Sequence, residues 1–140
     1  MTTKDYLSQI GRLNRMINNK LIEIQQLRVM AANVSAVSNE EKVQSTPNFD
    51  KMSTTFVKIE EMEEKLDSLI DDFIDRKNHI IAQIDGIDNE LSYVILFSRY
   101  IERKSLEKIA TELNYSYKSI NRYHGAALKE FEEKYGKEYI

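Results

Sequence analysis

Residues 98–128 read SRYIERKSLEKIATELNYSYKSINRYHGAAL, the pattern of two short amphipathic helices joined by a tight turn. In the first helix, apolar residues recur at the three-and-four spacing of one helical face, at Leu106, Ile109, Ala110 and Leu113. Ser105 and Ser116 each precede a helix and can cap its free N–H groups. Asn114 tolerates the left-handed backbone that ends a helix. This order predicts a helix-turn-helix, which lays its second helix in the major groove of DNA.

The polar side chains of the second helix are the candidate base readers. Lys118 and Arg122 can bind guanine O6 and N7, and Asn121 can bind adenine N6 and N7. Together with Tyr117 they occupy the first turns after the Ser116 cap, the part of the helix that reaches base edges. The alternative is the solvent-exposed face of a helical protein-interaction module.

Basic residues around the first motif helix are candidate phosphate contacts, which set register and affinity without reading sequence. They are Arg99, Arg103, Lys104 and Lys108. Residues 98–128 carry six basic and three acidic side chains, so the local charge is positive although the whole chain carries −3. Each of the four could equally be an ordinary surface charge.

The motif resembles region four of bacterial sigma factors. The resemblance rests on the order of Arg99-Tyr100, Ser105 to Ala110, Leu113, Ser116, Ile120, His124 and Ala127-Leu128. It implies that Tyr117, Lys118 and Arg122 touch bases and that Asn121 lies nearer the backbone. It also implies that His124 hydrogen-bonds to the DNA backbone or packs at the base of the helix. This chain departs from the family's pattern in its aromatic residue at 117 and its single arginine in the reading stretch.

The whole chain is similar to small phage-encoded regulators of the ArpU/RinA type. That resemblance implies an activator of late phage genes that contacts host RNA polymerase. Small terminase subunits, which package phage DNA, also combine a helix-turn-helix with helical oligomerisation segments, so packaging is an alternative. A second alternative is an inhibitor or adaptor that binds another protein through its acidic helix.

The first 88 residues predict a helical hairpin or coiled coil. An apolar repeat runs from Lys4 to about Ala32, and a heptad repeat runs from Phe49 to Asn89 with Phe56 in its seam. Residues 33–48 are rich in Ser, Asn and Thr and contain the only proline, which predicts a loop. We therefore expect an all-α protein with an antiparallel hairpin at 1–88 and a helix-turn-helix domain at 89–140. Polar interruptions in the long repeat favour a homodimer or higher homo-oligomer.

The amino-acid composition argues against several classes of site. The chain has no cysteine and no long apolar run, so we expect no disulfide, no membrane association and a location in the cytoplasm of a bacterial host. Asp71, Asp72 and Asp75 have the spacing of a magnesium-diphosphate motif, but acidic runs on helices are usually solvated faces. We predict no catalytic residues, no metal, no cofactor and no enzyme activity, with double-stranded DNA as the partner.

Overall fold

A computed structural model describes the backbone of residues 1–40 and 45–140 and the side chains of residues 1–33 and 51–140. All elements in these ranges are helices. In chain order they are α1 (Thr3–Leu7), α2 (Gln9–Glu40), α3 (Ser45–Asp85), α4 (Glu90–Leu96), a π-helical turn (Phe97–Ile101), α5 (Leu106–Leu113), α6 (Tyr117–Tyr135) and a 3-10 turn (Gly136–Glu138). The predicted all-α fold is confirmed.

Contacts divide the chain into two units. The globular unit comprises Met1–Asn14 and Phe73–Ile140, and the hairpin unit comprises Arg15–Asp72. Neither edge of these units falls at residue 88, where the domain boundary was expected. The reason is that the last turns of α3 contribute Ile80 and Ile84 to the same core as α4 and α6.

The core of the globular unit is built around α6. Its buried members come from five α-helices, the π-helical turn and the turn after α3: Leu7, Ile10, Ile80, Ile84, Ile87, Leu96, Tyr100, Ala127 and Phe131. Tyr139 packs over one side of this core. Its ring stacks on that of Tyr6 with the ring centres 4.2 Å apart, and its hydroxyl lies 2.8 Å from Thr3 Oγ1. Residues far apart in sequence thereby hold α6 in a single orientation.

The hairpin unit consists of the middle of α2 and the first part of α3. Its buried apolar residues among the described side chains are Ile17, Ile24, Ala31, Ile59 and Leu66. Arg28 of α2 forms an ion pair with Glu63 of α3, and Gln9 at the start of α2 accepts from Arg76 near the end of α3, so the two helices run antiparallel. The expected hairpin architecture is present, although Phe56 is 53% exposed rather than in the seam.

The predicted loop at residues 33–48 is wrong for most of its length. α2 continues to Glu40 and α3 begins at Ser45, and the rest of the predicted loop, residues 41–44, lies outside the described residues. Pro47 does not prevent helix formation, because it is the third residue of α3 and the N–H groups of a first turn have no intrahelical acceptor. No helix in the described part of the chain is both long and apolar enough to cross a membrane.

Candidate nucleic-acid interface

Local hydrogen bonds define both ends of α5 and the start of α6. The Ser105 Oγ accepts from the Lys108 N–H at 3.2 Å, and the Ser116 Oγ accepts from the Ser119 N–H at 3.1 Å. Asn114 has φ 59° and ψ 37°, and the Tyr115 N–H donates to the Ala110 carbonyl at 3.0 Å. This is a Schellman motif with asparagine in the left-handed position. The predicted caps and helix end are therefore confirmed.

A small apolar cluster fixes α5 and α6 against α4. Its buried members are Ile95, Ile109, Ala110 and Ile120, and Leu91, Leu106, Leu113 and Tyr123 pack against it. Because Ile120 is fully buried, Lys118, Asn121 and Arg122, which lie on other faces of α6, turn outward. The position of α6 in the motif thus follows from its own apolar stripe and from the brace supplied by α4.

The outward surface at the start of α6 consists of Tyr117, Lys118, Asn121 and Arg122, which we name the reading face. All four side chains are exposed, Tyr117 by 50%. The Arg122 guanidinium lies 5.2 Å from the centre of the Tyr123 ring. Within the described residues, no ion pair engages the two cations of this face. The face is therefore free to donate hydrogen bonds to a ligand.

Two tyrosines extend this surface through a ring contact that the sequence pattern does not predict. Tyr115 is 43% exposed and its ring meets that of Tyr123 edge-on, with centres 5.5 Å apart. The two rings adjoin the reading face, because the Arg122 guanidinium lies over the Tyr123 ring. The tyrosines of 115–123 were visible in the sequence, but only the turn geometry brings Tyr115 beside Tyr123.

The segment before α5 is held by internal bonds, and these engage two of the candidate phosphate contacts. The Lys104 Nζ lies 2.9 Å from Glu112 and 3.2 Å from Glu102, and hydrogen bonds to these two carboxylates raise the pKa of Lys104. Arg99 is half-buried and donates to the Lys104 carbonyl at 3.2 Å. Both residues stabilise the segment before α5, so their positive charges already have partners within the protein.

Arg103 has a strained backbone and an identifiable neighbour. Its φ of 58° lies in the left-handed region, which a non-glycine residue adopts at a cost. With its amide oxygen turned toward Arg103, Asn14 accepts from Nη1 at 2.7 Å and from Nη2 at 3.1 Å. Lys108, by contrast, is exposed on α5 without an ion pair among the described residues. Of the four candidate phosphate contacts, Lys108 is thus the least engaged.

His124 lies inside the protein rather than on the exposed surface of α6. Its side chain is buried, and its Nε2 shares a 2.7 Å hydrogen bond with the Tyr100 hydroxyl. Burial, with the charges of Arg99 and Lys4, lowers the pKa of His124 to about 4, and burial raises the pKa of Tyr100 to about 12. The expected contact with the DNA backbone is therefore not available to His124, whose role is to pack at the base of α6. Ser116 serves as the cap of α6.

No curated protein and no solved structure matches this chain. A family described as "Protein of unknown function (DUF1492)" matches residues 33–132, which include α3, α4, α5 and most of α6. The matched region covers more than half of the sequence and contains the whole reading face. The chain belongs to the DUF1492 family.

Proposed function

We propose that this protein is a DNA-binding transcriptional regulator of phage or prophage type that reads base edges in the major groove with α6. The observation that carries the proposal is the reading face, an exposed set of donors at the start of a helix held by a tight turn, with no ion pair to any residue whose side chain the structure describes. In helix-turn-helix proteins, this part of the second helix contacts the bases.

The chemistry of the reading face suits duplex DNA. Lys118 and Arg122 supply donors for guanine, and Asn121 supplies the donor and acceptor that adenine requires. In this proposal the exposed Lys108 on α5 neutralises a phosphate, and Arg103 does so after exchanging its bonds to Asn14. Phosphate contacts of this kind hold the register while the bases supply specificity.

The phage context and the contact with host RNA polymerase rest on the resemblance of residues 99–128 to sigma region four and of the whole chain to ArpU/RinA-type regulators. In this proposal the protein acts at promoters of late genes. Fragments that it selects from phage and host DNA should therefore lie upstream of genes. Fragments that cluster at a packaging site would instead favour the terminase-like alternative.

The direct test compares single alanine variants on a selected DNA fragment. Lys118→Ala and Arg122→Ala should each weaken binding by roughly 1–3 kcal/mol and relax the preference at one base position. Lys58→Ala is the matched control, because it removes one exposed cation from the hairpin unit. It should leave the base preference unchanged.

Two results would contradict the proposal. Full affinity and unchanged base preference in both variants would show that α6 does not read DNA. Tight binding to a protein, with no DNA affinity at low salt, would point to the inhibitor or adaptor class.

A further inference from the structure

α6 contains a glycine that the fold does not require. Gly125 is exposed, and its φ is not positive, so no left-handed conformation calls for glycine there. A Cβ at this position would meet no described atom within 4 Å, apart from its two chain neighbours and the backbone of its own helix. After proline, glycine is the least favourable residue inside a helix, because it loses the most backbone freedom on folding. Alanine would therefore give a more stable α6.

Gly86, in the turn after α3, shows the contrast with a glycine that packing requires. A Cβ there would collide with the Tyr135 hydroxyl, and the Lys134 Nζ donates to the Gly86 carbonyl. Contacts within the globular unit thus account for Gly86, whereas no contact in the described part of the chain accounts for Gly125. A partner that approaches α6 closely would supply the missing reason.

Gly125 lies on the outward side of α6, away from its buried stripe. That stripe consists of Ile120, His124, Ala127 and Phe131. At 3.6 residues per turn, Gly125 lies about one turn after Asn121 and two turns after Lys118. Lys129 follows about one turn later. The surface of the reading face therefore continues past Arg122, first as bare backbone at Gly125 and then as a cation.

Lys129 is the cation at the far end of this surface. Its side chain is exposed, and it forms no ion pair with any residue whose side chain the structure describes. It lies seven residues after Arg122, a distance of about 10 Å along the helix. Lys129 is therefore as available for a phosphate as Lys108 is on α5.

α6 is longer than the groove that it is proposed to enter. Its 19 residues span about 28 Å, whereas the major groove is about 12 Å wide. With residues 117–122 at base edges, the later turns leave the groove past one sugar–phosphate strand. Gly125 lies eight residues beyond Tyr117, or about 12 Å, and so reaches the groove edge. Glycine suits such a position, because it lets a backbone approach a ligand closely.

We propose that one sugar–phosphate strand of the DNA crosses α6 at Gly125 and that Lys129 binds a phosphate of that strand. The inference rests on the proposed function, and it gives the two residues different roles. Gly125 sets how deeply α6 enters the groove, whereas Lys129 contributes charge. Neither residue reads a base.

Substitutions at Gly125 separate DNA binding from folding. Gly125→Ala and Gly125→Leu should raise the urea midpoint, because both introduce a better helix former. Tyrosine fluorescence provides this measurement, since all eight tyrosines lie in the globular unit. Gly125→Leu should nevertheless weaken binding to the selected DNA fragment by at least about tenfold, and Gly125→Ala by a smaller factor, because the added side chain meets the phosphate strand.

Ser68→Leu is the matched control for the Gly125 variants. It places the same side chain at an exposed position of α3 in the hairpin unit and should leave DNA affinity unchanged. A lowered urea midpoint in both Gly125 variants would show that the fold itself needs this glycine, and would overturn the proposal.

Lys129→Ala tests the phosphate contact. It should weaken binding to all DNA sequences alike and reduce the slope of log affinity against log salt by about one. Lys58→Ala should keep the full slope. If Lys118→Ala and Arg122→Ala impair binding while Gly125→Leu or Lys129→Ala binds like the wild type, the strand does not cross here and the proposed function stands. A wild type without DNA affinity would overturn both.

Discussion

At the residue scale, Tyr100 and His124 show how burial changes the role of a polar pair. Their 2.7 Å hydrogen bond lies in the interior, where each group satisfies the other. An imidazole that is protonated in this environment would carry a buried positive charge near Arg99 and Lys4, which explains the lowered pKa of about 4. His124 is therefore neutral at physiological pH, and its contribution is structural.

This pair predicts a pH dependence of folding. The ordinary pKa of histidine is about 6.5, so between pH 6.5 and 4 the unfolded chain binds a proton at His124 that the folded chain does not. The free energy of unfolding is therefore unaffected by this residue above about pH 6.5. As the pH falls toward 4 it decreases, by up to roughly 3 kcal/mol. Urea unfolding of the wild type and of His124→Gln, measured at several pH values, should show a shallower acid loss in the variant. Identical pH profiles would contradict this assignment.

At the element scale, the turn between α5 and α6 depends on one left-handed residue. Asn114 carries a φ of 59°, and the bond from the Tyr115 N–H to the Ala110 carbonyl closes the motif. Asparagine adopts this conformation more readily than other non-glycine residues do. The turn directs α6 away from α5, and with it the reading face.

Substitutions at position 114 should separate conformational strain from side-chain chemistry. Asn114→Ala should destabilise the protein by about 1 kcal/mol, because alanine adopts the left-handed conformation at greater cost. Asn114→Gly should be neutral or slightly stabilising, because glycine adopts it freely. Denaturant midpoints of the two variants provide the measurement. Equal loss in both would show that the Asn114 side chain, rather than its backbone, stabilises the turn.

At the scale of the whole molecule, charge limits what one copy can do. The globular unit carries thirteen Lys and Arg residues and twelve Asp and Glu residues, so its net charge is close to zero. Arg99 and Lys104 are moreover engaged within the protein. Because non-specific affinity for DNA depends on neutralising phosphates, a single copy should bind weakly.

Joining two copies, as the predicted homo-oligomer would, should compensate for this weak binding. For DNA with two half-sites, the second contact becomes intramolecular, and the gain should be about 10²–10⁴-fold. Fluorescence anisotropy with DNA that carries one or two half-sites measures this gain. Equal affinity for both DNA lengths would contradict binding by joined copies.

The sequence by itself determined the features that depend on near neighbours. Caps at Ser105 and Ser116, the helix end at Asn114 and the outward position of Tyr117, Lys118, Asn121 and Arg122 follow from residues within one or two helical turns. Local hydrogen bonds and apolar periodicity decide these features, and both can be read from the chain. The exception was the Ser- and Asn-rich segment at 33–48, where weak local preferences did not prevent helix formation over its described residues.

Tertiary structure alone decided which polar side chains remain available. Lys104 forms an ion pair with Glu112, eight residues away, and His124 shares a hydrogen bond with Tyr100, twenty-four residues away. The last turns of α3 pack into the core around α6. Burial and ion pairing depend on which distant helices meet, and the three-and-four spacing of one helix does not specify its partner. The reading face could therefore be predicted from sequence, whereas the cations that support it could be sorted only after the helices had packed.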